Sequence, residues 1–122
     1  MIVLDASAIL AFLQDEVGAA TVEDGLSAGA AIGAANWSEV AQKVIARGGD
    51  WDVAALLLRG YHLEVEPVTT ADANLAAAMW RPGSALSLGD RLCLTLGERL
   101  DVPVWTADRA WGMSGRIVQI RT

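Results

Sequence analysis

Four acidic residues spread along the chain are candidates for binding divalent metal ions. They are Asp5, Glu39, Asp90 and Asp108. Carboxylate oxygens are the ligands that hard cations such as Mg²⁺ and Mn²⁺ prefer, and these ions also bind substrate phosphates. Four carboxylates facing two divalent ions are neutral together, so that a phosphodiester can then approach. If the fold brings the four acids together, the pattern favours metal-assisted hydrolysis of a phosphodiester.

The predicted elements would place these acids at one edge of a sheet. The apolar segments MIVL and VPVW predict buried strands, and each is soon followed by an acid, Asp5 or Asp108. Glu39 lies one turn into the helix after the second predicted strand, and Asp90 one turn into the helix before VPVW. Because ligands of an open parallel sheet bind beyond the carboxyl ends of its strands, we expect the four acids to converge there.

The rest of the chain alternates helical and extended patterns. Helices are predicted at 8–13, 18–26, 37–47, 53–58 after Asp50, 70–80 and 87–100, and strands at AAIGAAN, HLEVEPV and RIVQIR. The proline in HLEVEPV suits an edge strand. In the helix that begins at Ser87, apolar spacing predicts an inner face of Leu88, Leu92, Leu96 and Leu100. This order indicates an α/β fold with a largely parallel sheet, in one domain over residues 1–122.

Charge and composition narrow the classes of function. The formal net charge is −6 and Lys43 is the only lysine, which argues against binding nucleic acid through bulk positive potential. A nuclease whose acids are covered by metal ions stays possible. The single cysteine, Cys93, excludes a disulfide framework and indicates a reducing compartment. Because no apolar run reaches the roughly 18 residues of a membrane span, a cytoplasmic protein without membrane contact is expected.

Each acid also has a purely structural interpretation. SLGD, NWSE and TTAD all resemble capping boxes, in which a carboxylate stabilises the first turn of a helix. Asp5 and Asp108 could likewise be ordinary N-caps of the helices that follow them. Only the joint pattern, with two acids ending otherwise apolar strands, favours a shared site.

The chain resembles PIN-domain ribonucleases, and most closely the toxins of VapBC-type toxin–antitoxin pairs. The resemblance is carried by IVLDASAILAFL, NWSEV and SLGDRLCLTLGERLDVPVWTADRAW, of which the last is the most specific. It implies a three-layer α/β/α domain with a five-stranded sheet in the order 3-2-1-4-5. It also implies an endoribonuclease that depends on Mg²⁺ or Mn²⁺ and cleaves structured RNA such as tRNA or rRNA. The implied partners are a cognate VapB-type antitoxin and a second copy of the chain, as a homodimer.

The resemblance also implies roles for individual residues. The four acids become a catalytic quartet in which Asp5 and Asp108 bind metal most directly, Asp90 supports them, and Glu39 reaches a second ion or its water shell. Ser7 supports Asp5, and Thr106 forms hydrogen bonds within the site. Asp72 follows the edge strand, two positions from the strand of Asp5, and is therefore expected to cap a helix rather than bind metal.

Arg91 and Arg109 each follow one of the acids and are candidate phosphate contacts in RNA. The alternative for both is that they are solvated or pair with neighbouring acids.

Specific residues argue against two other classes of phosphoryl-transfer protein. A haloacid-dehalogenase-type phosphatase needs an aspartate two residues after Asp5, where this chain has Ser7, and a receiver domain needs a late lysine, whereas Lys43 lies mid-chain. The alternative that stays open is a PIN-like RNA-binding or protein-interaction module without nuclease activity.

Overall fold

The sheet is built from five parallel strands in a computed structural model that describes residues 1–121. The last residue of the predicted 1–122 domain therefore lies outside the described residues. The strands are β1 (Ile2–Leu4), β2 (Ala30–Gly33), β3 (Leu63–Glu66), β4 (Val104–Thr106) and β5 (Ile117–Gln119). Their order across the sheet is β3-β2-β1-β4-β5, and all four neighbouring pairs are parallel. The predicted order and strand direction are thus confirmed, as is the edge position of β3.

Helices connect the strands. They are α1 (Ala6–Leu13), α2 (Ala19–Ala28), α3 (Ala34–Ala46), α4 (Trp51–Arg59), α5 (Thr70–Ala78) and α6 (Leu88–Leu100), and a single 3₁₀ turn spans Arg109–Trp111. A parallel strand pair needs a crossover of this kind, because the chain must return to the starting edge of the sheet. Within residues 1–121, every helix falls short of the length and apolar character that crossing a membrane requires.

The two faces of the sheet each bury their own apolar cluster. Side chains alternate along β1, so that Leu4 joins one cluster with Ile9, Leu26 and Ile32, whereas Val3 points to the other face. On that second face Val3 packs in a cluster with residues of α6 and β4. Helical layers on both faces bury all of β2 and the Val3–Leu4 part of β1, which explains why these two central strands are uniformly apolar.

Two predicted details of the helices are wrong. Helix α3 begins at Ala34 rather than Trp37, because Gly33 ends β2 and is itself the N-cap. NWSE therefore lies inside the helix and is not a capping box, whereas SLGD and TTAD are. On α6 the first leucine of the predicted inner face, Leu88, is mostly exposed.

The buried face of α6 is centred instead on Cys93, Leu96 and Gly97. Gly97 lies so close to β4 that an added Cβ atom would overlap Val104. This close approach rotates the helix away from the leucine stripe, because the smallest side chain makes the closest contact with the sheet.

Candidate active site

The candidate site begins where the neighbouring strands β1 and β4 end. Asp5 directly follows β1, and Asp108 lies two residues beyond the end of β4. The backbone amide of Asp5 donates to the carbonyl of Trp105 at 3.1 Å, which fixes the two strand ends beside each other. Two acids separated by about a hundred positions in the chain are therefore held at the same edge of the sheet.

Three donors orient the Asp5 carboxylate. The Ala8 amide donates to Oδ1 at 2.8 Å, the Thr106 hydroxyl to Oδ2 at 2.6 Å, and the Ser7 hydroxyl lies 2.8 Å from both oxygens. Ser7 in turn accepts from the Ala107 amide at 2.9 Å. A carboxylate has about four acceptor positions, so three donors leave one position open for a ligand. Ser7 and Thr106 thus hold Asp5 as the resemblance implied, although their part in a reaction stays a prediction.

Burial makes the charge on Asp5 costly. The residue is only 4% exposed. Desolvation, together with a smaller effect of the nearby Asp90 charge, raises the pKa of Asp5 to about 6, against the hydrogen bonds from Thr106, Ala8 and Ser7, which lower it. A cation beside Asp5 would offset both effects, because it stabilises the ionised carboxylate and neutralises its repulsion from Asp90.

Thr106 connects Asp5 to Asp108. Its hydroxyl donates to Asp5 and accepts from the Asp108 backbone amide at 3.0 Å. Asp108 is exposed and caps the 3₁₀ turn, with Oδ1 accepting from the Ala110 amide at 2.9 Å. Its Oδ2 accepts no hydrogen bond from residues 1–121, so this oxygen is available to a ligand.

Asp90 approaches from α6 and is held through only one of its oxygens. Oδ2 accepts from the Ser87 backbone amide at 2.9 Å, and the Ser87 hydroxyl accepts from the Asp90 amide at 3.1 Å, forming a capping box. Within the described residues no group donates to Oδ1. The cap thus fixes the side chain while leaving one oxygen free, as at Asp108.

Glu39 is positioned by Asn36, a residue that the sequence analysis did not single out as functional. Asn36 is 2% exposed, and its Nδ2 donates to Glu39 Oε1 at 2.7 Å and to the Gly89 carbonyl at 3.1 Å. The Asn36 amide therefore joins α3 to the residue beside Asp90. The signal was the spacing of NWSE, which puts Asn36 and Glu39 on the same side of a helix.

Gly89 leaves the space that Glu39 occupies. A Cβ atom at Gly89 would lie 2.7 Å from Glu39 Oε1, which is too close for a side chain to fit without a shift. Glycine at this position is thus required for the observed placement of Glu39.

The charges of three of the four acids act on one buried thiol. Burial raises the pKa of the Cys93 thiol well above its usual value, and the charges of Asp5, Asp90 and Glu39 raise it further. The structure therefore brings these three carboxylates into one electrostatic neighbourhood, with Asp108 joined to it through Thr106. Cys93 itself is buried in the core on α6.

The donor chemistry of the cluster fits a hard divalent cation. All the candidate ligands are carboxylate oxygens, and three of the acids hold one oxygen by hydrogen bonds while the other receives none from residues 1–121. In that part of the chain no group of three or more acids, histidines or cysteines stands close enough together to hold a metal ion by itself. Mg²⁺ does not need such a group, because proteins commonly bind it through one or two carboxylates together with water and substrate phosphate.

The structure places the remaining candidates differently. Arg91 donates from Nη1 to the Ala76 carbonyl on α5 at 2.7 Å, and its role as an RNA contact stays a prediction. Arg109 is exposed beside Asp108. Asp72 forms a capping box with Thr69 and an ion pair with Arg99 at 3.2 Å, which confirms it as a helix cap.

Comparison with known proteins identifies the family. The model of the PIN domain matches residues 2–112. A solved toxin–antitoxin complex from Klebsiella pneumoniae contains a similar chain, with a TM-score of 0.81, 14% identity and 98% of each chain covered. VapC20 of Mycobacterium tuberculosis, described as a sarcin–ricin loop cleaving toxin, is similar with a TM-score of 0.76, 18% identity and 100% of each chain covered.

At these low identities the two solved structures show a shared fold. No significant sequence match exists among the curated proteins. The family model nevertheless covers most of the chain, from the strand before Asp5 to the residue after the 3₁₀ turn. The chain therefore belongs to the PIN-domain family.

Proposed function

We propose that the protein is an endoribonuclease that depends on Mg²⁺ or Mn²⁺ and acts as the toxin of a type II toxin–antitoxin pair. The observation that carries this proposal is the Asp5 carboxylate, which is buried, oriented by three donors and left with one open acceptor position. The PIN-domain match and the two toxin structures with the same fold support it.

Each residue of the cluster has a role in the proposed reaction. Asp5 and Asp108 would hold a metal ion from the adjacent ends of β1 and β4, Asp90 would support them from α6, and Glu39 would complete the site from α3. Ser7 and Thr106 would keep the Asp5 carboxylate in one orientation. A divalent ion at this place supplies Lewis-acid stabilisation of the phosphodiester and lowers the pKa of the attacking water.

The family and the exposed apolar side chains both support protein partners for this chain. Four large apolar side chains on α3 and α4 are more than half exposed or close to it: Ile45, Val53, Leu56 and Leu57. Val53 and Leu57 line one groove together with Leu13 and Val44, and such an exposed apolar surface indicates a protein-interaction site. We assign it to a VapB-type antitoxin or to a second copy of the chain in a homodimer, with structured RNA as the substrate at the acid cluster.

Cleavage of total cellular RNA by the purified protein tests the proposed activity. With Mg²⁺ or Mn²⁺ we expect discrete fragments, and with EDTA none. Asp5→Asn and Asp108→Asn should each lower cleavage by more than about 100-fold, since changes to groups that merely orient a metal ligand already cost about 10–100-fold. Mapping the ends of the fragments would then identify the RNA target.

A matched control separates catalysis from helix capping. Asp50 caps α4 by accepting from the Val53 amide, far from the acid cluster in the fold, and asparagine caps helices about as well as aspartate. Asp50→Asn should therefore cleave RNA at the wild-type rate. Cleavage that persists in Asp5→Asn, or in EDTA, would contradict the nuclease and favour a binding module that kept the acids.

A further inference from the structure

A groove lined by arginine lies beside the acid cluster. Its lining residues are Arg109, Gly112, Met113, Gln119 and Arg121, and its volume is about 610 Å³. We call it the basic groove. It lies between the 3₁₀ turn and the end of β5, and none of its lining residues is acidic. In a chain with a formal net charge of −6, such a surface is a local exception.

Gln119 fastens the basic groove to the candidate active site. Its Nε2 donates to the Asp108 carbonyl at 2.9 Å and to the Gly112 carbonyl at 2.8 Å. These two carbonyls stand at the two ends of the 3₁₀ turn, so one amide group fixes the turn that carries Arg109. The groove therefore begins one residue from Asp108 and keeps a defined position relative to it.

Within residues 1–121, Arg109 has no partner and Arg121 is only loosely paired, whereas several arginines elsewhere are held by close contacts. Arg99 and Arg116 form close ion pairs with acids, and Arg91 is bound to a backbone carbonyl. The side chain of Arg109, by contrast, makes neither an ion pair nor a hydrogen bond with residues 1–121. Arg121 has only a long pair with Glu16, at 3.7 Å, and a bond to the Val17 carbonyl. Arg47 and Arg59 also lack ion pairs and side-chain hydrogen bonds with these residues, but neither lines this groove.

The net negative charge of this protein repels a polyanion such as RNA, so RNA needs a local positive surface in order to bind. Guanidinium groups match phosphate geometry through paired N–H donors, and they are less strongly hydrated than lysine ammonium groups. Arg109 and Arg121 on the basic groove, next to a cluster that would act on a phosphodiester, provide that charge where a strand must continue past the cleaved bond.

We propose that the basic groove binds the ribose–phosphate backbone of single-stranded RNA on one side of the scissile bond, with Arg109 and Arg121 each contacting a phosphate. This inference rests on the proposed function, because it extends the same site along the substrate. Contacts of this kind position the strand and carry no sequence preference of their own.

The test is RNA binding measured in EDTA, where the proposed cleavage does not proceed. Fluorescence anisotropy of a short labelled single-stranded RNA of mixed sequence would be recorded against full-length protein at several salt concentrations. Arg109→Gln and Arg121→Gln combined should lower affinity by about tenfold at low salt, and reduce the slope of log K against log salt by about 0.7 for each arginine.

Arg47→Gln is the matched control, because Arg47 lies on a separate groove lined by residues of α1, α3 and α4. It should change neither affinity nor slope. Since Arg121 also contacts Glu16 and Val17, thermal unfolding of each variant is measured alongside, and Arg109→Gln alone gives a result free of those contacts. Three results would each contradict RNA binding by the basic groove. They are wild-type affinity in the double variant, an equal loss of affinity in Arg47→Gln, and the absence of salt-dependent RNA binding by the wild type.

Cleavage of total RNA by the wild type separates this inference from the proposed function. If the wild type cleaves RNA and the double variant binds and cleaves RNA equally well, RNA binding by the basic groove is contradicted and the proposed nuclease activity is supported. If the wild type binds RNA through the two arginines but cleaves no RNA with either metal, RNA binding by the basic groove is supported and the proposed nuclease activity is contradicted.

Discussion

Glu39 is held in place by two neighbours that contribute no charge to the site. Asn36 supplies a hydrogen bond, and Gly89 supplies space. Together they couple α3 to the start of α6, so that the carboxylates of Glu39 and Asp90 are positioned relative to each other. Removing the buried Asn36 amide would also be costly, because Glu39 and the Gly89 carbonyl would each lose the hydrogen bond that they accept from it.

Gly89→Ala should separate activity from stability. The new Cβ atom would meet the end of a flexible side chain, so Glu39 can move away at little energetic cost, and alanine favours the helix by up to about 1 kcal/mol over glycine. We expect unchanged or higher stability in urea denaturation, together with an RNA cleavage rate reduced by about tenfold or more.

The same change in a Glu39→Ala background provides the control, because there the displaced carboxylate is absent. Gly89→Ala should then cause little additional loss of cleavage. A full additional loss would mean that Gly89 acts on something other than Glu39.

The raised pKa of Asp5 predicts an unusual pH dependence for the metal-free protein. Because folding raises the pKa from 3.8 to about 6, the folded state binds more protons in that range, and this group lowers stability as pH rises through about 6. Its contribution is therefore most favourable below about pH 4, and the difference up to neutral pH amounts to about 3 kcal/mol at most.

Urea denaturation in EDTA between pH 4 and 7 would measure this effect, with Asp5→Asn as the reference. Asparagine does not titrate, so the variant should gain stability relative to the wild type as pH rises. If the difference in free energy of unfolding between the two proteins stayed constant over this range, burial would not raise the pKa of Asp5.

Helices α5 and α6 begin with the same capping motif, but the aspartate of the motif has different surroundings in each. Ser87–Asp90 and Thr69–Asp72 are both capping boxes, yet the free oxygen of Asp90 belongs to the acid cluster, whereas Asp72 is paired with Arg99. Capping is therefore compatible with the proposed metal binding in one side chain. At Asp5, Asp90 and Asp108 the capping hydrogen bonds would supply the orientation that the proposed metal ligands need.

Replacing each cap aspartate with alanine should distinguish the two. Asp90→Ala and Asp72→Ala should each destabilise the protein by about 1 kcal/mol or somewhat more, because each loses the capping-box hydrogen bond to the backbone amide of Ser87 or Thr69. Only Asp90→Ala should abolish RNA cleavage, measured per folded molecule under conditions where both variants are folded. Equal cleavage by the two variants would argue that Asp90 is a cap alone.

The elements were largely predictable from local pattern, because β1 and β4 are short apolar runs and glycine, proline and cap residues mark most boundaries. The order 3-2-1-4-5 came from the family resemblance, since hydrophobic pattern does not say which strands pair. Leu88 and Asn36 show what local pattern misses. The rotation of α6 depends on how closely Gly97 approaches Val104, and the role of Asn36 depends on a carbonyl 53 positions away.

At the scale of the whole molecule, negative charge is concentrated where a cation is expected. The acids repel one another, and Asp5 is too buried for water to screen its charge. A metal ion that binds only the folded protein must therefore stabilise it, by about 2.7 kcal/mol at a concentration of one hundred times its Kd.

Calorimetric unfolding with increasing Mn²⁺ should show a rising Tm for the wild type. The increase should be much smaller in an Asp5→Asn, Asp108→Asn double variant, and should persist in Asp50→Asn. An increase of the same size in the double variant would place the bound ion somewhere other than the ends of β1 and β4.

The pairing of β1 with β4 also has a consequence for when the site forms during synthesis. Ser7 and Thr106 lie 99 positions apart, and every hydrogen bond from β4 to Asp5 spans a similar distance. Contacts this distant in sequence form late, because closing so long a loop costs entropy before the contacts repay it. A nascent chain that still lacks the residues beyond Val104 on the ribosome has neither Thr106, which completes the orientation of Asp5, nor Asp108. A nuclease built on this topology would therefore stay inactive beside the RNA that translates it.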